Sequence, residues 1–581
     1  MKTKHRMINT EVYKECLDHG HPDIISKIVA GRVDQFDSKL FTVDNSCLQP
    51  PGLLKDCEKA AKRIKLAIEN KDRIAIYHDH DVDGITGGVI LHKSLEALGG
   101  AELMDANTNV HLFSNDRHKD GYGLNDSMVK KISLFNPDLI ISVDVGISDC
   151  EKITQLVKKC DADFIVTDHH TVPETGLPVD AYAVVNACRN DCDYAKGKLC
   201  GAATGWLVMI QTCLEMEDLF STSDAFKKAK MALFQLIDYA ALATVADMVS
   251  LAEPLNRYIV KQGLEIINRE NRECWKKALN GKNANVGTLG FQIGPRINAC
   301  SRMTGTTDDA VAFLLSDDHN QARQLWEELD GHNKDRKDIE KKMFSKAKKK
   351  FESDKDASSI VFYDDNNHSG IQGVTASTLV EKYGLPCIML APAGDDGKYI
   401  SGSGRAGEMV NIYDCIQIFK ERFPGALASS GGHPAACGLK FKTEELDIVI
   451  GGFEQIFSEQ ILERKDPEPS ITTDAEIERK EITLENCKAI EQLAPFGIGF
   501  PTPVFEMAGT ITDMFWMGRP AVHLKMKIND RDCLIFYAKP KETDPFEFGI
   551  DDDVKIVYSM NVNEFRGQES LQLIVRQIQA V

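Results

Sequence analysis

The chain has 581 residues, of which 43% are hydrophobic and 27% charged, with a formal net charge of −19 at pH 7. This length is too great for one hydrophobic core and predicts several domains. The acidic balance excludes a protein that coats duplex DNA by bulk charge, and no apolar run approaches the roughly 20 residues of a membrane span. The first residues contain no apolar signal segment, so we expect a cytoplasmic protein, without a membrane partner, whose 16 cysteines are reduced.

A strand-then-helix pattern repeats between residues 70 and 187. The run "RIAIYH" predicts a buried strand, and the next segment carries Ile85, Val89, Leu95 and Leu98 at helical spacing. The runs "DLIISVDVG" and "DFIVTDHH" predict two further strands with polar residues at their ends. This alternation is typical of a parallel α/β sheet, whose ligands bind beyond the carboxyl ends of the strands.

Acidic and imidazole side chains gather at these predicted strand ends. They comprise Asp79, Asp81 and Asp83 after the first strand, Asp144 at the end of the second, and Asp168, His169 and His170 at the end of the third. Crowded carboxylates raise one another's pKa, so we expect a multivalent cation among them. Oxygen and imidazole donors without cysteine suit Mn²⁺ or Mg²⁺. Two such ions about 3.5–4 Å apart would clamp the attacking and departing oxygens of a phosphodiester, and Asp144 is the candidate bridge between them.

The remainder of the chain predicts further domains. A helical stretch follows from about residue 201 to 251, a long amphipathic helix covers 317–352, and a second α/β unit begins at "SSIVFYDDN". Alternating segments after "LAPFGIGFPTPVF" predict a small β-domain. The predicted divisions are an N-terminal helical segment (1–69), a catalytic domain (70–316), a connecting helix (317–352), a second α/β domain (353–465) and a β-domain (466–581).

The motifs resemble those of a known family. "DHDVDG", "VDVG", "TDHH" and "VADMV" are similar to the four motifs of the DHH phosphoesterases. "DRHKDGYGLN", "LCGAATG", "GPRINACSRM", "SGSGRA" and "GGHPAACGL" resemble, in order, the patterns of the RecJ single-strand-specific exonucleases. The resemblance runs from about residue 15 to the C-terminus. It implies an α/β fold in which a DHH parallel-sheet domain is joined by a long helix to a DHHA1 domain, followed by an OB-fold barrel.

The resemblance also implies roles for individual residues. Metal would be bound by Asp81, Asp83, Asp144 as the bridge, His169 and Asp247, with Asp79 as an auxiliary ligand. Asp168 would orient a histidine, and His170 would face the scissile phosphate and stabilise its charge. Substrate phosphates would be held by Arg296, Asn298 and Arg302, and the 5′-phosphate by Arg117, Ser403 and Arg405. His368 and His433 would line the cleft from the DHHA1 side.

The implied function is 5′→3′ degradation of single-stranded DNA to mononucleotides with two Mn²⁺ or Mg²⁺ ions, in DNA repair and recombination. The family resemblance further implies a monomer that works with a helicase and a single-strand-binding protein. An alternative is a phosphoesterase of short oligonucleotides or cyclic dinucleotides, although such relatives are about half this length and lack the β-domain. A non-enzymatic scaffold of the same fold is a third hypothesis, disfavoured because every acidic motif residue is present.

The chain departs from the family pattern at His80, Val82, Val145 and the pair Cys300-Ser301. His80 stands where the family usually has an aromatic residue, and Val145 where a cysteine is usual. We interpret His80 as a packing substitution, with a ligand role as the alternative. Cys188, Cys192 and Cys200 lack the paired spacing of a zinc site, so we favour packing for them as well.

Overall fold

The computed structural model describes residues 2–103, 109–354, 357–394, 397–407, 409–462, 470–539, 545–565 and 567–581. The chain divides into two compact units. The first consists of Met1–Leu48, Ser250–Lys261 and Pro467–Val581, and the second of Gln49–Val249 and Gln262–Asp466. The described strands are β1 (Lys2–His5), β2 (Ile74–His78), β3 (Val110–Phe113), β4 (Leu139–Val143), β5 (Asp163–Thr167), β6 (Ala183–Val185), β7 (Ile360–Tyr363), β8 (Cys387–Ala393), β9 (Tyr399–Arg405), β10 (Ser429–His433), β11 (Ala436–Lys442), β12 (Ser470–Thr473), β13 (Phe505–Met517), β14 (His523–Ile528), β15 (Arg531–Ile535), β16 (Asp553–Phe565) and β17 (Gln568–Ala580).

The helices follow the same chain order. They are α1 (Thr10–Asp18), α2 (Asp23–Ala30), α3 (Cys57–Asn70), α4 (Val82–Leu103), α5 (Asp126–Phe135), α6 (Cys150–Cys160), α7 (Gly201–Glu215), α8 (Ser223–Gln235), α9 (Ile237–Ala246), α10 (Pro254–Asn268), α11 (Glu273–Leu279), α12 (Val286–Thr288), α13 (Gly294–Thr304), α14 (Asp308–Leu315), α15 (His319–Ser353), α16 (Gln372–Tyr383), α17 (Ile412–Arg422), α18 (Leu446–Leu462) and α19 (Leu484–Glu491). The stretch predicted as helical from 201 to 251 is therefore divided among α7, α8 and α9. The segment 1–69, predicted as helical, begins with strand β1.

The predicted parallel sheet is confirmed in the second unit. Its strand order is β3-β2-β4-β5-β6, and each neighbouring pair is parallel. Every residue of β2 and of β4 is buried, as expected for strands covered on both faces. Parallel order places the carboxyl ends of β2, β4 and β5 at one edge of the sheet, where the acidic motifs follow.

The second α/β domain contains a mixed sheet of order β10-β11-β9-β8-β7, in which only β7 and β8 pair in parallel. The long helix predicted near 317–352 is α15, His319–Ser353. Its C-terminal half contributes Met343 and Ala347 to the core formed by β7, β8 and α16, and its N-terminal half stacks Trp326 on Phe313 of α14. One rigid helix thereby connects the two α/β domains within this unit.

In the first unit, the strand order β13-β14-β15-β17-β16 forms a closed barrel, confirming the C-terminal β-domain. The N-terminal strand β1 pairs in parallel with β12, which precedes the barrel in the chain. Asp474, directly after β12, is buried and accepts from Arg32 Nε at 2.7 Å and from the Val504 amide at 2.9 Å. These bonds fix the N-terminal segment against the barrel by a buried, charge-assisted contact.

One helical stretch is long and apolar enough to cross a membrane by length and composition. It is Ser223–Ala246, which comprises α8 and α9, and 61% of its apolar window is buried inside the protein. Burial of this kind is typical of a core helix, so the stretch is weak evidence for a membrane span.

Candidate metal centre and substrate groove

The first acidic motif lies in the turn between β2 and α4. Asp81 begins the helix: its Oδ1 accepts from the amides of Asp83 at 2.9 Å and Gly84 at 3.3 Å. The Val82 amide, also at the start of α4, donates to Asn298 Oδ1 at 3.0 Å. A carboxylate at a helix N-terminus is favoured by the free amides and the helix dipole, so this turn is fixed on both sides.

A second helix N-terminus orients Asp83. Its two carboxylate oxygens accept from the amides of Gly201 at 2.6 Å and Ala202 at 2.7 Å, the first two residues of α7. Asp83 is buried, and these two bonds stabilise its charge where water does not reach. The sequence did not identify this contact, because α7 lies more than 100 residues further along the chain.

Asp144 follows β4 in a left-handed backbone conformation, with φ 61°. Its amide donates to the Thr167 carbonyl at 2.9 Å, which continues the sheet bonding to β5. A Cβ atom on Gly201 would lie 2.6 Å from Asp144 Cβ. Only glycine at position 201 therefore allows α7 to approach this carboxylate.

His169 lies at the centre of the cluster. Its Nε2 is 3.1 Å from Asp144 Oδ1, 3.7 Å from Asp83 Oδ2 and 3.6 Å from Asp247 Oδ2. Asp247 is the residue at the C-terminal end of α9, where a carboxylate is unfavourable without a nearby cation. The predicted ligands therefore come together from four separate segments.

The donor set fits two divalent ions. Two groups that share no residue have ligand atoms within 4.8 Å of one another: Asp79, Asp81 and Asp144 form one, and Asp83, His169 and Asp247 the other. A third group, Asp144, His169 and His170, overlaps both. Such oxygen-rich sets with imidazole suit Mn²⁺ or Mg²⁺.

The electrostatics of the cluster indicate a missing positive charge. Burial, together with the charges of neighbouring carboxylates, raises the pKa of Asp79 and of Asp247 to about 8. Burial and the charge of Asp83 hold the pKa of Asp144 well above its usual range. Asp144 Oδ1 is also buried and makes no hydrogen bond among the described residues, although His169 Nε2 lies 3.1 Å away. A bound cation would satisfy this oxygen and return these carboxyls to their ionised form.

His170 is held as a cation beside the cluster. Its Nδ1 lies 2.7 Å from Asp168 Oδ1. Burial opposes the charge of His170, but the bond to Asp168 prevails and raises the pKa of the imidazole to about 9. Asp168 is itself fixed by the amides of Ile147 at 2.9 Å and His169 at 2.7 Å. The expected carboxylate–imidazole orientation is thus present in the structure.

Three of the predicted phosphate-binding arginines gather near these acids. Burial and the charge of Arg117 lower the pKa of Arg302 to about 9, with Arg405 contributing further repulsion. Arg405 Nη1 donates to Ser403 Oγ at 3.2 Å and to the Gly404 carbonyl at 2.8 Å. Guanidinium groups gathered in this way have the chemistry that suits an anion with several acceptor oxygens.

Arg296 and Asn298 are engaged elsewhere. Arg296 Nη2 lies 2.8 Å from Asp330 Oδ1 on α15, and its guanidinium carbon is 5.3 Å from the centre of the Trp326 ring. Asn298 supports the Val82 amide. Both contacts position helices, and a direct role for either residue in holding phosphate stays a prediction.

The two predicted histidines of the DHHA1 side have different surroundings. His368 Nδ1 accepts from the Gly370 amide at 3.1 Å, and its ring lies 5.3 Å from that of His118. His433 ends β10, and burial lowers its pKa, followed by the positive charges of Arg405 and His170. His433 is therefore within electrostatic reach of the metal centre.

Tyr122 was not assigned a role from sequence, and His80 was interpreted as a packing substitution. The Tyr122 ring lies 6.1 Å from His170 and 6.3 Å from His80, edge-on to both. His80 Nδ1 is 3.1 Å from Asp79 Oδ1. The "GYG" motif drew attention to Tyr122 in the sequence. Its distance from His170 along the chain did not indicate that the two rings lie close together.

The cysteine group shows packing contacts. Cys188 Sγ lies 3.1 Å from the carbonyls of His169 and Gly197, and Cys200 Sγ is 3.5 Å from Thr244 Oγ1. Within the described residues, the candidate metal groups contain no cysteine. These contacts favour the packing interpretation over a zinc site.

Comparison with known proteins agrees with this geometry. Three family models match the chain: the DHH family N-terminal domain over residues 73–244, the DHHA1 domain over 356–459 and the RecJ OB domain over 473–577. Together with the acidic cluster, they define a DHH-type phosphoesterase with an added OB domain.

The relatives specify the family. The single-stranded-DNA-specific exonuclease RecJ of Escherichia coli is 30% identical over 550 residues, which cover 90% of each chain. RecJ of Bacillus subtilis is 29% identical over 573 residues, covering 96% of this chain and 68% of that one. The chain belongs to the RecJ family of single-stranded-DNA-specific exonucleases.

Solved structures share the fold. RecJ from Thermus thermophilus in complex with Mn²⁺ has a TM-score of 0.79 at 22% identity and covers 100% of this chain and 80% of its own. A second structure, exonuclease RecJ bound to manganese, has a TM-score of 0.59 at 27% identity, covering 72% of this chain and 98% of its own.

Proposed function

We propose that this protein is a metal-dependent exonuclease that degrades single-stranded DNA from the 5′ end to mononucleotides. The observation that carries the proposal is that a cluster of carboxylates and imidazoles able to hold metal lies close to a group of half-buried guanidiniums. In this proposal, the carboxylate and imidazole cluster hydrolyses a phosphodiester, and the guanidinium groups bind a phosphate. The named relatives act on single-stranded DNA, which supports the same substrate here.

The residues divide the chemical work. When bound, Mn²⁺ or Mg²⁺ lowers the pKa of water and neutralises charge on the phosphodiester. Asp83, held by two amides of α7, and Asp144, held by the sheet, keep ligand oxygens in fixed positions. His170 directs one N–H to Asp168, which leaves its Nε2–H free to donate to a phosphate oxygen as charge develops.

We infer the 5′→3′ direction of degradation from the positions of the arginines. Arg117 and Arg405 would grip the 5′-terminal phosphate, with Ser403 as a third donor, because guanidinium forks match phosphate oxygens. The charge of Arg117 acts on Asp79, which supports a phosphate grip close to the metal ligands. The next phosphate of the strand would then reach the metal centre, so each cycle releases one nucleotide.

The barrel, considered by itself, carries exposed aromatic side chains suited to binding a single strand. Phe536 and Tyr537 are 55% and 73% exposed, and the His523 ring lies 4.6 Å from that of Tyr537. Exposed aromatic rings with basic neighbours stack successive bases without sequence preference. Tyr558 is fully buried and serves the core, and the side chain of Phe565 lies outside the described residues.

The proposal extends to the setting of the reaction. We infer a cytoplasmic monomer in DNA repair and recombination, supplied with single strands by a helicase and a single-strand-binding protein. On this basis a blunt duplex resists the enzyme alone and is degraded when a helicase is added. Size-exclusion chromatography with light scattering tests the monomer.

The decisive experiment uses strands labelled at the 3′ end, with either a 5′-phosphate or a 5′-hydroxyl, in Mn²⁺ or Mg²⁺. We expect mononucleotides from the phosphorylated strand and a reduced rate with the hydroxyl. Arg405→Gln should remove this preference, whereas Arg422→Gln, an exposed arginine paired with Glu459 at 2.7 Å, should retain it. An intact phosphorylated strand after prolonged incubation would contradict the proposal.

A further inference from the structure

A cavity of about 610 Å³ lies next to the proposed 5′-phosphate grip. One wall is the loop that carries Arg117 and Tyr122, and the other is the open face of the DHHA1 sheet. Its volume falls in the range of about 300–1,000 Å³ typical of small-ligand sites. The metal ligands do not line it, so this space belongs to a part of the groove that the proposed function leaves unused.

The sheet face is organised in rows across three strands, β10, β11 and β9. The first row is His433, Ala436 and Arg405; the second is Gly431, Gly438 and Ser403; the third is Ser429, Lys440 and Ser401. Successive residues on one face of a strand are about 7 Å apart. The positive charges of both Arg405 and His170 act on His433, which places the first row beside the metal centre.

The third row is therefore farthest from the metal centre, and it lines the cavity. It carries the hydroxyl of Ser429 and the ammonium of Lys440, whose Nζ lies 5.1 Å from the centre of the Tyr399 ring. The third member, Ser401, donates its hydroxyl to Gln372 Oε1 at 3.3 Å. The second row forms a flat floor: a Cβ atom added to Gly431 or to Gly438 would meet nothing within 4 Å. The cavity thus combines open space next to the grip with a cationic and hydroxyl-bearing far end.

A strand gripped at its terminal phosphate meets the cavity on the side away from the metal centre. A group attached to that phosphate would enter the cavity and reach Lys440. Serine hydroxyls and an ammonium are donors to anionic oxygens, so phosphate is the chemistry that fits best. We propose that the cavity accepts a phosphoanhydride extension of the 5′ end, so that strands ending in a 5′-triphosphate or a 5′-adenylyl pyrophosphate are substrates.

The reaction on such ends is the same hydrolysis, on which this inference rests. Water attacks the phosphorus between the first and second nucleotides, the bond to the 3′-oxygen breaks, and that oxygen takes up a proton. The released nucleotide keeps its 5′-triphosphate, or its adenylyl pyrophosphate, and the shortened strand carries a new 5′-monophosphate. No anhydride bond is cleaved.

The test compares three strands of one sequence that end in a 5′-monophosphate, a 5′-triphosphate or a 5′-adenylyl pyrophosphate, with products identified by mass spectrometry. We expect kcat/KM for the triphosphate strand to lie within about tenfold of that for the monophosphate strand, because one charged contact to the added phosphates contributes about a factor of ten. The first product should be an intact nucleoside triphosphate. The adenylylated strand should also be cleaved within about tenfold of the monophosphate, and its first product should retain the adenylyl pyrophosphate.

A matched pair of variants tests the far end of the cavity. Lys440→Ala should lower the ratio of triphosphate to monophosphate kcat/KM about fivefold to tenfold, the usual effect of one charged contact. Lys442→Ala is the control: Lys442 lies two residues further along β11, outside the cavity, and pairs with Glu444 at 3.3 Å. Its ratio should stay within about twofold of wild type.

Three results would overturn the inference: a loss of more than tenfold on either extended end, release of pyrophosphate or adenylate before the nucleotide, or an unchanged ratio in Lys440→Ala. If only the extended ends resist, this inference alone fails. If the monophosphorylated strand is also left intact, the proposed function fails, and this inference fails with it.

Discussion

Removal of divalent ions should make the stability of this protein fall as pH rises. Burial raises the pKa of Asp79 and Asp247 to about 8, whereas an aspartate in an unfolded chain titrates near about 3.9. The folded state therefore binds these protons more tightly than the unfolded state. Their contribution to stability is full below about pH 4 and is lost as pH rises through about 8.

The size of the effect follows from the two shifts. Each spans about 4 pH units at about 1.4 kcal/mol per unit, so the metal-free fold loses at most about 6 kcal/mol per carboxyl by pH 8. The Asp247 side chain is 31% exposed, and water reduces its share. Bound divalent cations replace the protons and remove most of the loss, so metal stabilises more at pH 8 than at pH 5.

The assay is thermal unfolding in chelator and in millimolar MnCl₂, at pH 5 and pH 8, followed by the fluorescence of the buried Trp206 and Trp275 of the second unit. A change of about 1 kcal/mol in stability shifts Tm by about 2 °C. The rise in Tm caused by Mn²⁺ should therefore be greater at pH 8 than at pH 5, by on the order of 10 °C. Asp144→Asn removes a carboxyl whose own pKa is raised by burial and by the charge of Asp83, so its metal-free protein should lose less stability with pH and respond little to Mn²⁺. A rise in Tm at pH 5 equal to that at pH 8 would refute the reasoning.

Three further outcomes follow from the site. Asp144→Ala should lower single-strand hydrolysis by about 10³-fold or more, because a ligand oxygen is lost, with an unchanged far-ultraviolet circular dichroism spectrum; substantial residual activity would show that Asp144 is not a ligand. Asp168→Asn should move the alkaline limit of the pH–kcat profile down from about pH 9 towards the ordinary histidine value of about 6.5, because His170 then loses its proton earlier; an unmoved limit would exclude this role. Gly201→Ala places a Cβ atom 2.6 Å from Asp144 Cβ, so Mn²⁺ affinity measured by calorimetry should fall about tenfold or more. Gly331→Ala on α15, where a Cβ meets nothing within 4 Å, is its control and should retain wild-type affinity.

Local patterns in the sequence were sufficient for the sheet and for most of the cluster. Parallel strands bring their carboxyl ends to one edge, so the acids after β2, β4 and β5 could be placed together from spacing alone. Asp247 could not be assigned in this way, because it follows the core helix α9 and no strand of the sheet. Only the family resemblance identified it as a metal ligand. The long helix α15 was readable since its apolar residues keep a 3–4 spacing over many turns.

Tertiary structure decided the contacts between distant segments. Three such contacts are the hydrogen bonds from the α7 amides to Asp83, the ion pair of Arg296 with Asp330, and the parallel pairing of β1 with β12. In each case, the sequence around one partner does not indicate the other partner. The sequence by itself determined which side chains could hold a metal, because residue type and strand-end position are local properties. How those side chains are oriented, and which arginine remains free for a phosphate, depends on hydrogen bonds and ion pairs that exist only once the chain has folded.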